Sequence, residues 1–162
     1  MATINHKKIY NFHYQELIGK QGEAILDEWL KSIYKILDVS SIEKYQKMGI
    51  DRLLMRSDGS IITVEYKFDL ASARTGNLFF ETISVDTKNL TGWGWSSQAD
   101  YWIFLIPTPE IIVIEPNKLR NLVWELRSIL KEKKVPNINY NTWGVIIPLK
   151  QVKKIAHYQK KL

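Results

Sequence analysis

Apolar residues recur at helical spacing through residues 16–37. With Ile18 set at zero, Ile25, Leu26, Trp29, Leu30, Ile33, Ile36 and Leu37 fall within an arc of roughly 140° at about 100° per residue. Asp27, Glu28, Lys31 and Lys35 take the opposite side, and Glu23 sits at the border of the arc beside Leu26 and Leu30. A long amphipathic helix is expected here, with Glu23 leaning over the rim of a core toward a sheet.

The period then changes to two. Short strands are expected at 50–56 and 60–67, separated by the turn signal Asp58-Gly59, with a third at 78–85. Residues 87–99 are polar and hold Gly92 and Gly94, which reads as a loop. Apolar runs at 101–106 and 111–115 surround Pro107 and Pro109. Pro116-Asn117 opens a second helix running to about residue 133, with Leu119, Leu122, Val123, Leu126, Ile129 and Leu130 on one face. A last strand is expected at 143–147, followed by a short helix. No repeat, low-complexity tract or long linker divides the chain, so residues 1–162 read as a single α/β domain.

Composition narrows the class. The 162 residues are 45% hydrophobic and 12% aromatic, enough for one sizeable core. The absence of cysteine excludes disulfides, thiolate-bound zinc and thiol nucleophiles. No apolar run approaches the roughly 20 residues of a membrane span. The polar start, 1–11, lacks the apolar centre of a signal peptide. A cytoplasmic protein without a membrane partner is expected. A net charge of +6 makes a polyanion partner plausible, and residues 150–162 form a basic C-terminal segment with five lysines and no acid.

Chemistry concentrates at the first hairpin. Strand alternation puts Glu65 and Lys67 on one face, with Ile62, Val64 and Tyr66 on the other. A two-residue turn at Asp58-Gly59 would pair Asp51 with Tyr66 and turn its carboxylate away. A three-residue loop, Ser57-Asp58-Gly59 with Gly59 left-handed, would pair Asp51 with Glu65. The second closure is favoured, because glycine stands where it is required. Adjacent carboxylates repel unless a cation lies between them. Oxygen ligands of this kind suit Mg²⁺, which polarises phosphoryl oxygens and acidifies water. Lys67 would orient the attacking water or offset charge on the phosphate. Such a patch on an exposed sheet would ordinarily be a solvated ion pair. Here Glu65 and Lys67 end a strongly apolar strand, and Glu23 is expected to join them from the helix.

These residues resemble a known pattern. Gly49-Ile50-Asp51 on one strand and Val64-Glu65-Tyr66-Lys67 on the next are similar to the PD-(D/E)XK nuclease superfamily, the restriction-endonuclease-like fold. Ile50 stands where the name-giving proline would be. The element order resembles the αβββαβ core, a central mixed sheet flanked by helices, with Glu23 in the position of a helix-borne acid. Thr75-Gly76-Asn77, Glu81, a glycine loop and Gln98-Ala99-Asp100-Tyr101 resemble small stand-alone members from phages and mobile introns, homing endonucleases among them. The resemblance implies that Asp51, Glu65 and the Tyr66 backbone carbonyl hold Mg²⁺, with Mn²⁺ as a substitute, while Lys67 serves the nucleophile.

The accessory residues have two readings each. Thr75 and Asn77 would present N–H groups to a phosphate or form a plain turn. Glu81 reads better as an outward strand residue than as a site carboxylate. Gln98 would hydrogen-bond DNA or a water near the site. Trp93 and Trp95, in a loop that also holds Lys88, would stack on bases or anchor the loop to the core. Arg120 and Arg127 would mark a basic stripe. His6, His13 and His157 are scattered and read as surface residues. The function expected is a Mg²⁺-dependent endonuclease on double-stranded DNA, of homing or restriction type, working as a homodimer or homotetramer. A Holliday-junction-type resolvase and a non-catalytic DNA-binding module on the same fold are the alternatives.

Overall fold

A computed structural model describes the backbone of residues 12–162 and the side chains from residue 19 onward. The expectations for the polar start and His6, and for the side chains of His13 and Ile18, lie outside these described residues. Helix α1, Phe12–Leu30, ends well before residue 37. Backbone N–H groups of Ile33 and Tyr34 both reach the Leu30 carbonyl in a closing turn. The chain then extends as β1, Lys35–Asp38, antiparallel to β2, Arg52–Met55, with Ile36 opposite Leu54. Ile36 and Leu37 satisfy both periods, and the ladder hydrogen bonds available to a strand decide between them. Between β1 and β2 lies α2, Glu43–Met48, which the hydrophobic pattern did not signal.

Strand β3, Ile61–Phe68, returns antiparallel to β2 with Arg52 opposite Val64 and Met55 opposite Ile61. After the short helix α3, Ser72–Thr75, the chain enters β4, Asn77–Val85, then β5, Leu90–Thr91, and the single-turn helix α4, Trp93–Ser96. Strand β6, Tyr101–Ile106, runs parallel to β3, and β7, Glu110–Ile114, antiparallel to β6. Helix α5, Pro116–Leu126, is also shorter than expected. Residues 131–133, expected as its last turn, instead begin β8, Lys131–Pro136, on the edge of a second sheet. Lysines suit an exposed sheet edge, where they discourage pairing with other chains, as well as they suit a helix surface. Strand β9, Asn141–Pro148, is followed by α6, Leu149–Lys154, and β10, Tyr158–Lys161. The basic C-terminal segment is thus half helix and half strand, since β10 pairs with β7.

The result is an α/β fold with two sheets. Six strands form a mixed sheet in the order β1-β2-β3-β6-β7-β10, and four form an antiparallel sheet in the order β5-β4-β9-β8. The strand expected at 78–85 therefore belongs to the second sheet, where it pairs with β9. Leu26 and Leu30 of α1 pack on Leu54, Ile62, Val64 and Ile103 across one face of the main sheet. The other face carries a core of Trp102, Phe104 and Ile112, which meets Phe80, Ile147 and Leu119. No described helix is long and apolar enough to cross a membrane.

Candidate active site

Helix α2 ends on Gly49, left-handed at φ 67°, whose N–H caps the carbonyls of Gln46 and Tyr45. The chain leaves this cap through Ile50, buried in the core, and delivers Asp51 to the start of β2. The hairpin closes through a three-residue loop: Arg56 N–H donates to the Ser60 carbonyl, and Gly59 has φ 84°. This is the closure that sends Asp51 to Glu65. The Asp51 carboxylate accepts the Tyr66 backbone N–H at 2.7 Å, while Asp51 N–H donates to the Val64 carbonyl at 2.9 Å. Strand alternation divides β3 as expected. Val64 and Tyr66 face α1, and Glu65 and Lys67 face the other core.

Lys67 pairs with Oε1 of Glu65, and its ammonium lies 4.4 Å from the centroid of the Trp93 ring. Oε2 of Glu65 is buried and accepts no hydrogen bond. Gly49 lines that oxygen: a Cβ at this position would stand 3.2 Å from Oε2 and 3.2 Å from Cα of Ser97. Burial pushes the Asp51 carboxyl above its usual range despite the Tyr66 N–H, and the neighbouring Glu65 charge adds to the rise. The same two causes, burial and the Glu65 charge, raise Glu81, whose carboxylate accepts the Trp93 N–H at 3.2 Å.

Asp51, Glu65 and Lys67 therefore meet. Glu23 does not join them. It lies across the sheet, where Arg52 gathers Glu23 at 3.2 Å, Asp27 at 3.0 Å and Asp38 at 2.8 Å. The Arg52 side chain is almost fully buried, and three acids compensate its charge. A carboxylate on the rim of α1 was correctly placed near a sheet, but its partner is this guanidinium.

Glu81 is the residue that alternation underweighted. It faces Lys67 because β4 crosses into the second sheet, which no local pattern reveals. Trp93 is half-buried and packs on Trp102 with ring centroids 5.1 Å apart, so it anchors its loop and also floors Lys67. Trp95 is more exposed and meets Phe80 edge-on at 5.1 Å. Thr75 and Asn77 bond to each other around left-handed Gly76, as a turn does. Lys88 and Gln98 are exposed, and Gln98 is tied through its backbone N–H to the Met48 carbonyl at 2.7 Å. Arg120 donates to the carbonyls of Gly94 and Ser97, at 2.8 and 2.6 Å, while Arg127 folds over Trp124. They form no common stripe.

The donor set suits a hydrated ion. Among the described residues no three acids or histidines converge into an all-protein cage. Asp51 and Glu65, with its bare buried oxygen, could hold an ion such as Mg²⁺, which takes one or two carboxylates and keeps several waters. Comparison of the chain with family models, with curated proteins and with solved structures finds no match.

Proposed function

We propose that this chain is a Mg²⁺-dependent endonuclease that hydrolyses phosphodiester bonds of double-stranded DNA on a restriction-endonuclease-like core. The observation that carries the reading is Oε2 of Glu65, buried without a hydrogen-bond donor beside the raised carboxyl of Asp51. Leaving a buried carboxylate oxygen bare is costly, and a cation between the two acids would remove both that cost and their repulsion. The order of elements also supports the reading. With α2, β4 and β5 taken as insertions, helix α1, strands β1-β2-β3, the short helices and then β6 can be traced as αβββαβ, with β1 in place of the strand expected at 78–85.

Asp51 and Glu65 would hold the ion. The Tyr66 N–H points to Asp51, and a strand residue's carbonyl lies on the same edge as its N–H, so the Tyr66 carbonyl is available as a third ligand. Mg²⁺ bound there would polarise a phosphoryl oxygen and make a water more acidic. Lys67 is fixed between Glu65 and the Trp93 ring, where its ammonium would orient the attacking water or offset charge on the phosphate. One such site per chain serves one strand, so cutting both strands calls for a homodimer or homotetramer.

The test is incubation of plasmid and branched DNA with Mg²⁺ or with EDTA, beside a Lys67→Ala variant. Cleavage is expected only with the metal, reduced at least ~10²-fold by the substitution, as for loss of one charge-stabilising donor. Cleavage that survives both EDTA and Lys67→Ala would overturn the assignment, and cutting confined to branched DNA would identify a resolvase instead.

A further inference from the structure

The second sheet presents a continuous face to the site. Residues paired directly across a sheet share a face. Phe79 pairs with Ile146, and Ile146 with Lys131. Glu81 pairs with Gly144, and Gly144 with Lys133. Lys131 and Lys133 therefore stand on the same face as Glu81, whose carboxylate is beside Lys67. A cleft of about 480 Å³ joins the two regions, bounded by Lys67, Glu81 and Trp93 at its inner end and by Lys133, Val135 and Thr142 at its outer end.

The charges in this cleft are not equally committed. Glu81 is engaged by the Trp93 N–H at the inner end. Asp69 is engaged by the N–H groups of Ser72 and Phe79. Among the described residues, Lys131 and Lys133 take part in none of the ion pairs, and both are exposed. By contrast Lys134, on the opposite face, lies over the Trp143 ring. Gly144 keeps the middle of the face low, since any side chain there would run into Phe79. The outcome is an apolar floor with Lys133 on its rim and Lys131 beside it on the same face, leading to Glu81 and to Lys67, which pairs with Glu65.

We propose that β8 carries the track for the nucleic-acid backbone, with Lys131 and Lys133 each neutralising a phosphate of the duplex whose scissile bond lies at Asp51 and Glu65. This assignment rests on the nuclease reading above. Lysines on an edge strand also prevent sheet-to-sheet pairing, a role that needs no particular face and no ligand. The phosphate role predicts something further: each lost contact removes about 0.9 from the slope of log affinity against log salt.

The experiment measures binding of a labelled duplex by anisotropy across a salt series in EDTA, where no cutting occurs. It compares the wild type with Lys131→Gln/Lys133→Gln, and with Lys160→Gln/Lys161→Gln on β10 as a control of equal charge loss. The β8 pair is expected to weaken binding ~10-fold and to flatten the slope by about 2, with the β10 pair near wild type and all three melting alike. Equal effects from both pairs, or an unchanged slope in the β8 pair while the wild type binds and cuts with Mg²⁺, would overturn the track and leave the nuclease intact. A wild type that neither binds duplex nor cuts it would remove both.

Discussion

Single residues at this candidate site bear on stability first. The Asp51 carboxyl is raised above 3.8, first by burial and then by Glu65. Its folded form holds a proton more readily than the unfolded chain does. The corresponding stability is complete below the unfolded value and is lost as pH rises through the folded one. At pH 7 and without metal, ionised Asp51 therefore weakens the fold. Asp51→Asn keeps an oxygen for the Tyr66 N–H and removes the charge, so in EDTA it should melt above wild type. Each kcal/mol regained is worth about 2–4 °C in a chain of this size. Mg²⁺ should raise the wild-type midpoint and leave the variant unmoved. Calorimetry at pH 5 and pH 7 checks the sign, because the advantage should shrink at the lower pH. Gly49→Ala runs the other way. Its φ of 67° costs a side chain about 1–2 kcal/mol, and the new methyl would crowd Glu65 Oε2. A lower melting point together with weaker Mg²⁺ response is expected. Arg52→Met should cost about 3 kcal/mol in denaturant titrations, the low end for a broken buried pair because the three acids still reach water.

At the scale of elements, the hairpin β2–β3 turns loop chemistry into site geometry. Gly59 adopts φ 84° at the last loop position, and Asp58 accepts the Ser60 N–H at 2.8 Å. Gly59→Ala should lower stability by about 1–2 kcal/mol through backbone strain alone. Cleavage measured well below the transition should persist, since four residue pairs hold the register. That hairpin was legible because alternation and one glycine sufficed to orient Asp51, Glu65 and Lys67. Strand β6 was legible too, as a short apolar run beside Pro107. Where the reading failed, two periods described the same residues. Ile33, Ile36 and Leu37 continue the arc of α1, yet Ile33 and Leu37 stay exposed and residues 35–38 pair with β2. Residues 131–133 continue α5 on paper and pair with β9 in space. Only the availability of a partner strand separates the alternatives, and that is a long-range property. Glu23 was misplaced for a related reason: the position of Arg52 beneath α1 depends on how the helix lies on the sheet.

The whole molecule places the candidate site where two sheets meet, so the packing between them governs the geometry. Phe80 of β4 is fully buried, with ring centroids 5.6 Å from Trp93 and 6.2 Å from Trp102. Trp102 belongs to β6, the neighbour of β3, and its indole N–H donates to Ser97 Oγ at 2.9 Å. Ser97 in turn borders Gly49. A chain of contacts thus runs from the second sheet through the aromatic cluster to both strands that carry the acids. Phe80→Ala would open a cavity in that joint at a cost of about 3–5 kcal/mol. The loss should fall unevenly. Trp93 would lose its contact with Phe80 and keep Trp102 and Phe104, which loosens the floor beneath Lys67, whereas the β2–β3 register depends on bonds within the main sheet. Phe80→Leu, which refills most of the volume, should restore most of the stability. If the joint positions Lys67, Phe80→Leu should still cleave more slowly than its stability predicts, and its tryptophan emission should shift as Trp93 repacks. A Phe80→Leu protein with wild-type rate and emission would show that the second sheet supports the fold without tuning the site.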